Sequence, residues 1–139
     1  LVGSEMCIRD RSDSDYRYLT ECLIHTIQTG GVVFGAFVEE RLKGFASVEH
    51  EFFGQEKQYL ELTSIHTSYD CRNRGIGRQL FTRCVEAARK MGAKKLYISA
   101  HSCEETQAFY KEMGCVEAVE YNQKSVEKEP CDCQLEFVL

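Results

Sequence analysis

The stretch CRNRGIGRQLF, residues 71–81, decides the fold of this chain. Two glycines, Gly75 and Gly77, interrupt a basic and polar run, and an apolar helical pattern begins directly after them. A glycine turn that leads into a helix leaves backbone N–H groups unpaired at the positive end of the helix dipole. Without a Cβ, the turn lets phosphate oxygens approach the backbone, so the stretch predicts an anion site. Its positive side chains are Arg72, Arg74 and Arg78.

The residues on both sides of this turn predict a parallel βαβ unit. Residues 58–67, QYLELTSIHT, are β-rich and apolar on both faces, as expected of a central strand. After the turn, apolar residues recur at steps of three and four up to Gly92, and residues 93–100 then have the pattern of a buried strand. Two strands joined by a crossover helix lie parallel in one sheet.

The flanking segments complete the predicted domain. They are a helix over 14–29, strands over 32–38 and 42–50, a helix over 103–113 capped by Ser102 and Glu105, and closing strands over 115–122 and 131–139. The apolar stripe of the first helix comprises Tyr16, Leu19, Leu23, Ile24 and Ile27. The predicted fold class is α+β: a mixed, mostly antiparallel sheet with a central parallel βαβ unit, flanked by about three main helices.

Length and composition limit the classes of function. With 139 residues, 43% of them hydrophobic, the chain is long enough for one folded domain. Its net charge of −5 argues against a nucleic-acid partner, which requires a basic face. Apolar runs are too short to span a membrane and no secretory signal is visible, so we expect a cytoplasmic protein. Residues 1–11 resemble a translated sequencing adaptor, so we predict an atypical, non-native segment before a single domain over residues 12–139.

Eight cysteines are scattered through the apolar patterns without a C-x-x-C pair. A zinc site is usually indicated by cysteines or histidines paired at tight spacing. Only Cys131 and Cys133 come close, and they begin a strand-like run. We therefore predict reduced thiols that serve as small core side chains, and no metal site.

The motifs around the turn point to one family. The turn lacks the Gly-Lys-Ser/Thr of a P-loop, and Leu80 stands where a Rossmann fingerprint has its third glycine. The pattern Arg72-x-x-Gly75-x-Gly77 matches Q/R-x-x-G-x-G/A, and on this basis the chain resembles the GNAT N-acetyltransferases. The runs LTSIHTSYDCRNRGIG and QAFYKEMGC resemble that family's strand-and-turn segment and its later helix end. The resemblance extends over residues 14–139.

The resemblance first implies a cosubstrate and its site. In GNAT proteins acetyl-CoA lies between two splayed parallel strands, with its pyrophosphate on the glycine turn and without a metal. By this resemblance, the strand at Ile65 and Thr67 pairs its backbone with the pantetheine arm. The implied pyrophosphate turn comprises Arg72, Asn73, Arg74, Gly75, Ile76, Gly77 and Arg78.

The resemblance also implies two catalytic residues. Tyr110 stands where the family's helix tyrosine protonates the departing CoA thiolate, and a phenol keeps its proton at neutral pH. Glu61 aligns with the carboxylate that serves as base in the histone acetyltransferase branch. His66, Glu49 and a water chain stay open as alternative bases.

The function expected from this resemblance is acetyl-CoA-dependent N-acetylation of a primary amine in a small molecule or peptide. The alternative is a catalytically idle GNAT domain that binds acyl-CoA as a sensor or interaction module. Two residues depart from the family pattern: Cys103 replaces a common Asn that contacts the cofactor, and Thr106 replaces a common Ala. Neither departure affects the pyrophosphate turn. The motifs leave open which amine is the acceptor and whether the chain forms a homodimer.

Overall fold

The computed structural model describes residues 13–139, with side chains from residue 17 onward. The helices are α1 (Asp13–Gln28), α2 (Ile76–Met91), α3 (Glu104–Met113) and α4 (Gln123–Lys128). The strands are β1 (Val32–Val38), β2 (Arg41–Val48), β3 (Tyr59–Thr67), β4 (Lys95–Ala100), β5 (Val116–Glu117) and β6 (Cys133–Val138). No helix within residues 13–139 has the length and apolar character of a membrane span. The predicted non-native segment, residues 1–11, lies outside the described residues.

The six strands form one mixed sheet in the order β1-β2-β3-β4-β6-β5. Strands β3 and β4 are parallel, and the other neighbouring pairs are antiparallel. Helix α2 connects the two parallel strands, as a crossover must. The α+β class and the central βαβ unit predicted from the sequence are confirmed.

The two faces of the sheet have different partners. Helices α2 and α3 cover one face, where they bury the main core: Leu60, Leu62, Leu80, Phe81, Cys84, Val85, Ala88, Leu96, Ile98 and Tyr110. The opposite face carries a smaller cluster of Tyr59, Tyr97 and Phe53. Alternation along β3 places Glu61 on that second face, together with Tyr59. Helices α1 and α4 contact this face through polar side chains.

The capping box predicted for Ser102 and Glu105 is wrong. Helix α3 begins after Cys103, which is its N-cap residue and gives no side-chain hydrogen bond to the helix. The Glu105 carboxylate forms an ion pair with Arg72 of the glycine turn instead. The Glu105 carboxylate, which a capping box would use to accept from the backbone, therefore pairs with Arg72, which is distant in sequence.

The closing strand predicted over residues 115–122 is much shorter than expected. Only Val116–Glu117 pairs in the sheet, and the unpredicted helix α4 follows. The Val119 N–H donates to Glu136 Oε1 at 2.8 Å, and the Asn122 N–H donates to the Tyr97 hydroxyl at 2.9 Å. Because side chains take these two backbone donors, the ladder with β6 does not extend over residues 119–122.

The apolar stripe predicted for α1 is wrong at Ile24 and Ile27, whereas Leu19 and Leu23 of the same stripe are half-buried. Ile24 and Ile27 are 47% and 59% exposed, whereas Thr26 is only 3% exposed. The Thr26 hydroxyl donates to Glu49 Oε1 at 2.6 Å. Gly31 permits this approach, because a Cβ there would lie 2.6 Å from the Val48 carbonyl oxygen. The end of α1 thus meets the sheet through a polar contact.

Candidate active site

A cleft opens where β3 and β4 separate. Their parallel pairing stops after three pairs, the last of which joins Glu61 to Tyr97. Beyond it, β3 continues its ladder with β2 as far as Thr67, and β4 continues with β6 as far as Ala100. The facing edges of β3 and β4 are therefore unpaired with each other and can accept an extended ligand between them.

A β-bulge at Thr63 sets which residues face each side of the cleft. Ser47 pairs with Ser64 and Val48 pairs with Leu62, so Thr63 is the extra residue in β3. The bulge shifts the alternation, so that Ile65 joins the core beneath α2 while Glu61 lies on the opposite face. Strand periodicity alone would have placed Glu61 and Ile65 on one face.

The predicted glycine turn forms the start of α2. Gly75 is its N-cap residue and has a φ of 78°, which favours glycine. A Cβ on Gly75 would have no heavy atom within 4 Å, so the space in front of the turn is open. The first intrahelical bond runs from Gln79 N–H to Gly75 O at 3.0 Å. The N–H groups of Ile76 and Gly77 precede it and form the helix N-terminus that can bind an anion.

The arginine side chains of the turn are engaged by protein groups. Arg72 forms an ion pair with Glu105 of α3, and Arg78 pairs with Glu112 of the same helix at 2.7 Å. Arg74 approaches Cys71 Sγ at 3.8 Å. These ion pairs fasten the turn to α3. An anion at this place would therefore be held mainly by backbone N–H groups. The arginines would contribute a positive electrostatic potential without direct hydrogen bonds.

Thr67 supplies a buried hydroxyl at the end of β3. It is 3% exposed, and its Oγ1 has no hydrogen-bond partner among residues 17–139. Thr67 pairs with Gly44, and paired residues share a face of the sheet. A Cβ on Gly44 would lie 3.0 Å from Ile76 Cγ2, so this face meets the first turn of α2. A buried hydroxyl without a partner is costly, and a ligand group at the cleft can satisfy it.

Glu61 is half-buried beside the last β3–β4 pair. Its Oε1 accepts a hydrogen bond of 3.2 Å from Ser125 Oγ of α4. Burial raises the pKa of its carboxyl, the bond from Ser125 opposes this, and the negative charge of Glu49 adds to the rise. The positive charge of Lys128 lowers the same pKa. A carboxylate with a raised pKa binds a proton more strongly than an ordinary glutamate, which suits a group at a cleft that accepts a proton.

The alternative bases are placed differently. The Glu49 N–H donates to the Glu61 carbonyl oxygen at 2.9 Å, so the two glutamates are neighbours. The Glu49 carboxylate accepts hydrogen bonds from Thr26 at 2.6 Å and from Thr63 at 3.4 Å. His66 is buried, and its ring packs against Phe45 at 5.0 Å between centroids. Glu49 therefore lies next to Glu61 in the structure.

Tyr110 lies in the core between α2 and α3. It is 2% exposed, and its ring packs edge-on against Phe81 and Phe109 at 6.2 and 5.1 Å. Burial raises the pKa of its phenol above the ordinary value. The group therefore keeps its proton across the neutral range, as a proton donor must.

The departures at Cys103 and Thr106 lie at the start of α3. Cys103 Sγ is 3.1 Å from the hydroxyl of the fully buried Thr106. Burial opposes ionisation of this thiol, but hydrogen bonds from Thr106 and His101 outweigh it and lower its pKa. The Cys103–Thr106 pair thus forms a polar contact at the start of α3.

Ser125, Lys128 and Thr26 are site residues that the sequence analysis missed. Ser125 lies 64 residues from Glu61 along the chain, and the segment around it had no strand or helix pattern that indicated a site. Thr26 is not part of the apolar stripe predicted for α1. Only the packing of α1 and α4 on the second face brings these groups to the glutamates.

The predicted core role of the cysteines holds for three of them. Cys71, Cys84 and Cys115 are buried, whereas Cys131 is exposed, so the prediction is wrong for Cys131. Burial raises the pKa of the Cys84 and Cys115 thiols to about 12. The seven cysteines within residues 13–139 are unpaired in the structure.

We expect the purified protein to contain less than one equivalent of zinc. Within residues 13–139, no three His, Cys, Asp or Glu side chains are grouped as a metal site. Elemental analysis checks the content, and chelation should leave the melting temperature unchanged, since a structural metal would contribute folding energy. One full equivalent of zinc lost on replacing Cys131 and Cys133 would contradict the core-thiol interpretation.

The sequence also matches a family model. The model, described as the acetyltransferase (GNAT) family, covers residues 4–115. The chain belongs to the GNAT acetyltransferase family. The match includes strand β3, the glycine turn and helix α3 with Tyr110. No curated protein shows significant sequence similarity to the chain.

Solved GNAT structures have the same fold. PaiA N-acetyltransferase from Thermoplasma acidophilum, solved with coenzyme A, has a TM-score of 0.69 at 17% identity over 93% of this chain and 80% of that chain. A GNAT acetyltransferase from Elizabethkingia anophelis with acetyl-CoA bound has a TM-score of 0.63 at 18% identity over 86% and 82%. Ribosomal-protein-alanine N-acetyltransferase from Brucella melitensis has a TM-score of 0.66 at 22% identity over 92% and 80%.

Proposed function

We propose that this GNAT chain is an acetyl-CoA-dependent N-acetyltransferase that moves an acetyl group directly to a primary amine of a small molecule or peptide. The observation that supports this most directly is the unpaired edge of β3 opposite β4, beside an open glycine turn. The similar proteins from Thermoplasma acidophilum and Elizabethkingia anophelis were solved with coenzyme A and acetyl-CoA, which supports the assignment of the cleft.

The residues of the cleft fit acetyl-CoA, which supplies the acetyl group as an activated thioester when bound. The backbone of β3 around Ile65 and Thr67 has an unpaired edge for the pantetheine amides. The N–H groups at the start of α2 accommodate the pyrophosphate, for which the absent Cβ of Gly75 leaves room. The unpartnered Thr67 hydroxyl provides one further hydrogen bond at the same place.

We assign the base to Glu61. The attacking amine must be neutral, but a primary amine is mostly protonated at pH 7, so a base has to remove its proton. Glu61 lies at the point where the strands separate, and burial raises the pKa of its carboxyl, so it can take a proton directly or through water. Glu49 adds a second carboxylate next to it, which favours a cationic acceptor on this side of the cleft.

We assign the acid to Tyr110. The leaving thiolate of CoA requires a proton, and Tyr110 retains one because burial raises the pKa of its phenol. Its ring is fixed by Phe81 and Phe109, so the hydroxyl is held in one orientation.

A thiol-release assay tests the proposal. Acetyl-CoA is incubated with the protein and a panel of polyamines, aminoglycosides, amino acids and peptides, and free CoA is measured. We expect amine-dependent release with at least one class. Tight binding of acetyl-CoA without release by any amine would favour the alternative, an idle acyl-CoA-binding domain.

Glu61→Gln is expected to lower kcat/KM about 100-fold at pH 7 with little change in acetyl-CoA affinity, because it removes the base but keeps the shape. In the parent, kcat/KM should fall as the pH drops through the pKa of Glu61, since the protonated carboxyl cannot accept a proton. This fall of kcat/KM on the acidic side is called the acid limb of the pH profile. Because burial raises the pKa of Glu61, the acid limb should lie above the pH at which an ordinary glutamate titrates. The limb should vanish in Glu61→Gln.

Glu49→Gln is the matched control for this prediction. It removes the neighbouring carboxylate, and its amide can still accept the hydrogen bonds from Thr26 and Thr63. We expect the acid limb to persist and to move to lower pH, because the negative charge that raises the pKa of Glu61 is gone. If the limb disappears in Glu49→Gln and stays in Glu61→Gln, the base is Glu49.

A further inference from the structure

The short helix α4 is not stable on its own and depends on contacts with the rest of the domain. It has six residues and no fully buried side chain, and helices of this length are not stable alone in water. It nevertheless places Ser125 Oγ 3.2 Å from Glu61 Oε1. The contacts that anchor α4 therefore decide whether Ser125 reaches the proposed base.

The anchor at the start of α4 is Tyr97. The Tyr97 hydroxyl accepts a hydrogen bond of 2.9 Å from the backbone N–H of Asn122. Asn122 is the N-cap residue of α4, and its side chain accepts from the Lys124 N–H at 3.1 Å. The hydroxyl of Tyr97 thus binds the residue at which the helix begins, three positions before Ser125.

Tyr97 itself is rigidly held. It is fully buried, its hydroxyl donates to Gln134 Oε1, and Gln134 Nε2 donates in turn to Ser99 Oγ at 3.2 Å. The ring packs edge-on against Tyr59 and Phe53 at 5.5 and 5.2 Å between centroids. Tyr97 also pairs with Glu61 in the β3–β4 ladder, so the two side chains lie on one face of adjacent strands.

We propose that Tyr97 is a positioning residue for the acetyl-transfer reaction: through Asn122 it fixes the start of α4 and so keeps Ser125 hydrogen-bonded to Glu61. The inference rests on the proposed function of Glu61 as base. Within residues 17–139 the Tyr97 hydroxyl makes its hydrogen bonds to Gln134 and Asn122 and not to the Glu61 carboxylate. It acts on Glu61 through one backbone contact and one short helix.

The test is a set of pH profiles of kcat/KM for Ser125→Ala in different backgrounds. In the parent, Ser125→Ala removes a bond that stabilises the ionised Glu61, so the acid limb should move to higher pH. In Tyr97→Phe the bond is already lost, and Ser125→Ala should no longer move the limb. Two residues that do not touch would then show coupling, which independent sites lack. Amide exchange in residues 123–128 should be faster in Tyr97→Phe by about tenfold.

Tyr59→Phe is the matched control. Tyr59 is equally buried in the same cluster, but its hydroxyl donates to Glu136 at 2.7 Å and not to a group of α4. A general loss of packing or stability would affect both variants. We expect Ser125→Ala to move the acid limb fully in the Tyr59→Phe background.

The outcomes separate this inference from the proposed function. A limb that persists in Glu61→Gln contradicts the base assignment and this inference with it. A limb that vanishes there, yet responds to Ser125→Ala equally in all backgrounds, contradicts only the role of Tyr97. If Tyr97→Phe fails to fold, Asn122→Pro breaks the same bond from the other side, since φ at Asn122 is −85°, near the range of proline. Asn122→Ala, which keeps the N–H, is its control.

Discussion

Gly75→Glu is expected to abolish acetyl-CoA binding while the protein stays folded. The new side chain would extend into the open space in front of the turn, where a Cβ meets no heavy atom within 4 Å. There it would place a negative charge at the helix N-terminus that we assign to the pyrophosphate. Calorimetry should show at least about 100-fold weaker binding, about 2.7 kcal/mol or more.

Two further variants isolate the charge from the backbone strain. A side chain at a φ of 78° costs about 1 kcal/mol, so Gly75→Glu will also be somewhat less stable. Gly92→Glu introduces the same strain at the opposite end of α2, where φ is 97° and the space is equally open. It should bind acetyl-CoA like the parent, and Gly75→Ala should lose less than Gly75→Glu. Parental affinity in folded Gly75→Glu would refute the cofactor site.

Tyr110→Phe is expected to lower kcat by about 10²- to 10⁴-fold, equivalent to about 3–5 kcal/mol of barrier. The change keeps the ring and its contacts with Phe81 and Phe109 but removes the proton that the leaving thiolate needs. The dissociation constant of acetyl-CoA should stay nearly constant, because the interaction lost is made only in the transition state. Single-turnover kinetics and calorimetry provide the two measurements.

Tyr59→Phe again provides the comparison, because it removes a buried phenol hydroxyl outside the cleft. It should lose stability but retain kcat within a few-fold of the parent. If Tyr110→Phe behaves in the same way, Tyr110 is a core aromatic residue only, and water protonates the leaving thiolate.

The parts of the fold that depend on local pattern could be predicted from the sequence. The stripe of α2 and the left-handed glycines at both of its ends follow from helix periodicity and from the conformational freedom of glycine. The order of strand, helix and strand then required a parallel pair. The glycine turn was predictable for the same reason, since its N–H groups and its missing Cβ belong to contiguous residues.

The surroundings of Glu61 depend on contacts between distant segments and could not be predicted from the sequence. The bulge at Thr63 arises from the pairing of β3 with β2, and it separates Glu61 from Ile65. The bond from Ser125 to Glu61 spans 64 residues, and side chains of Glu136 and Tyr97 accept from the N–H groups of Val119 and Asn122, where a strand was predicted. Such contacts depend on which side chains distant segments bring together, and no periodicity within a segment encodes them, because a backbone N–H binds whichever acceptor the fold places nearest.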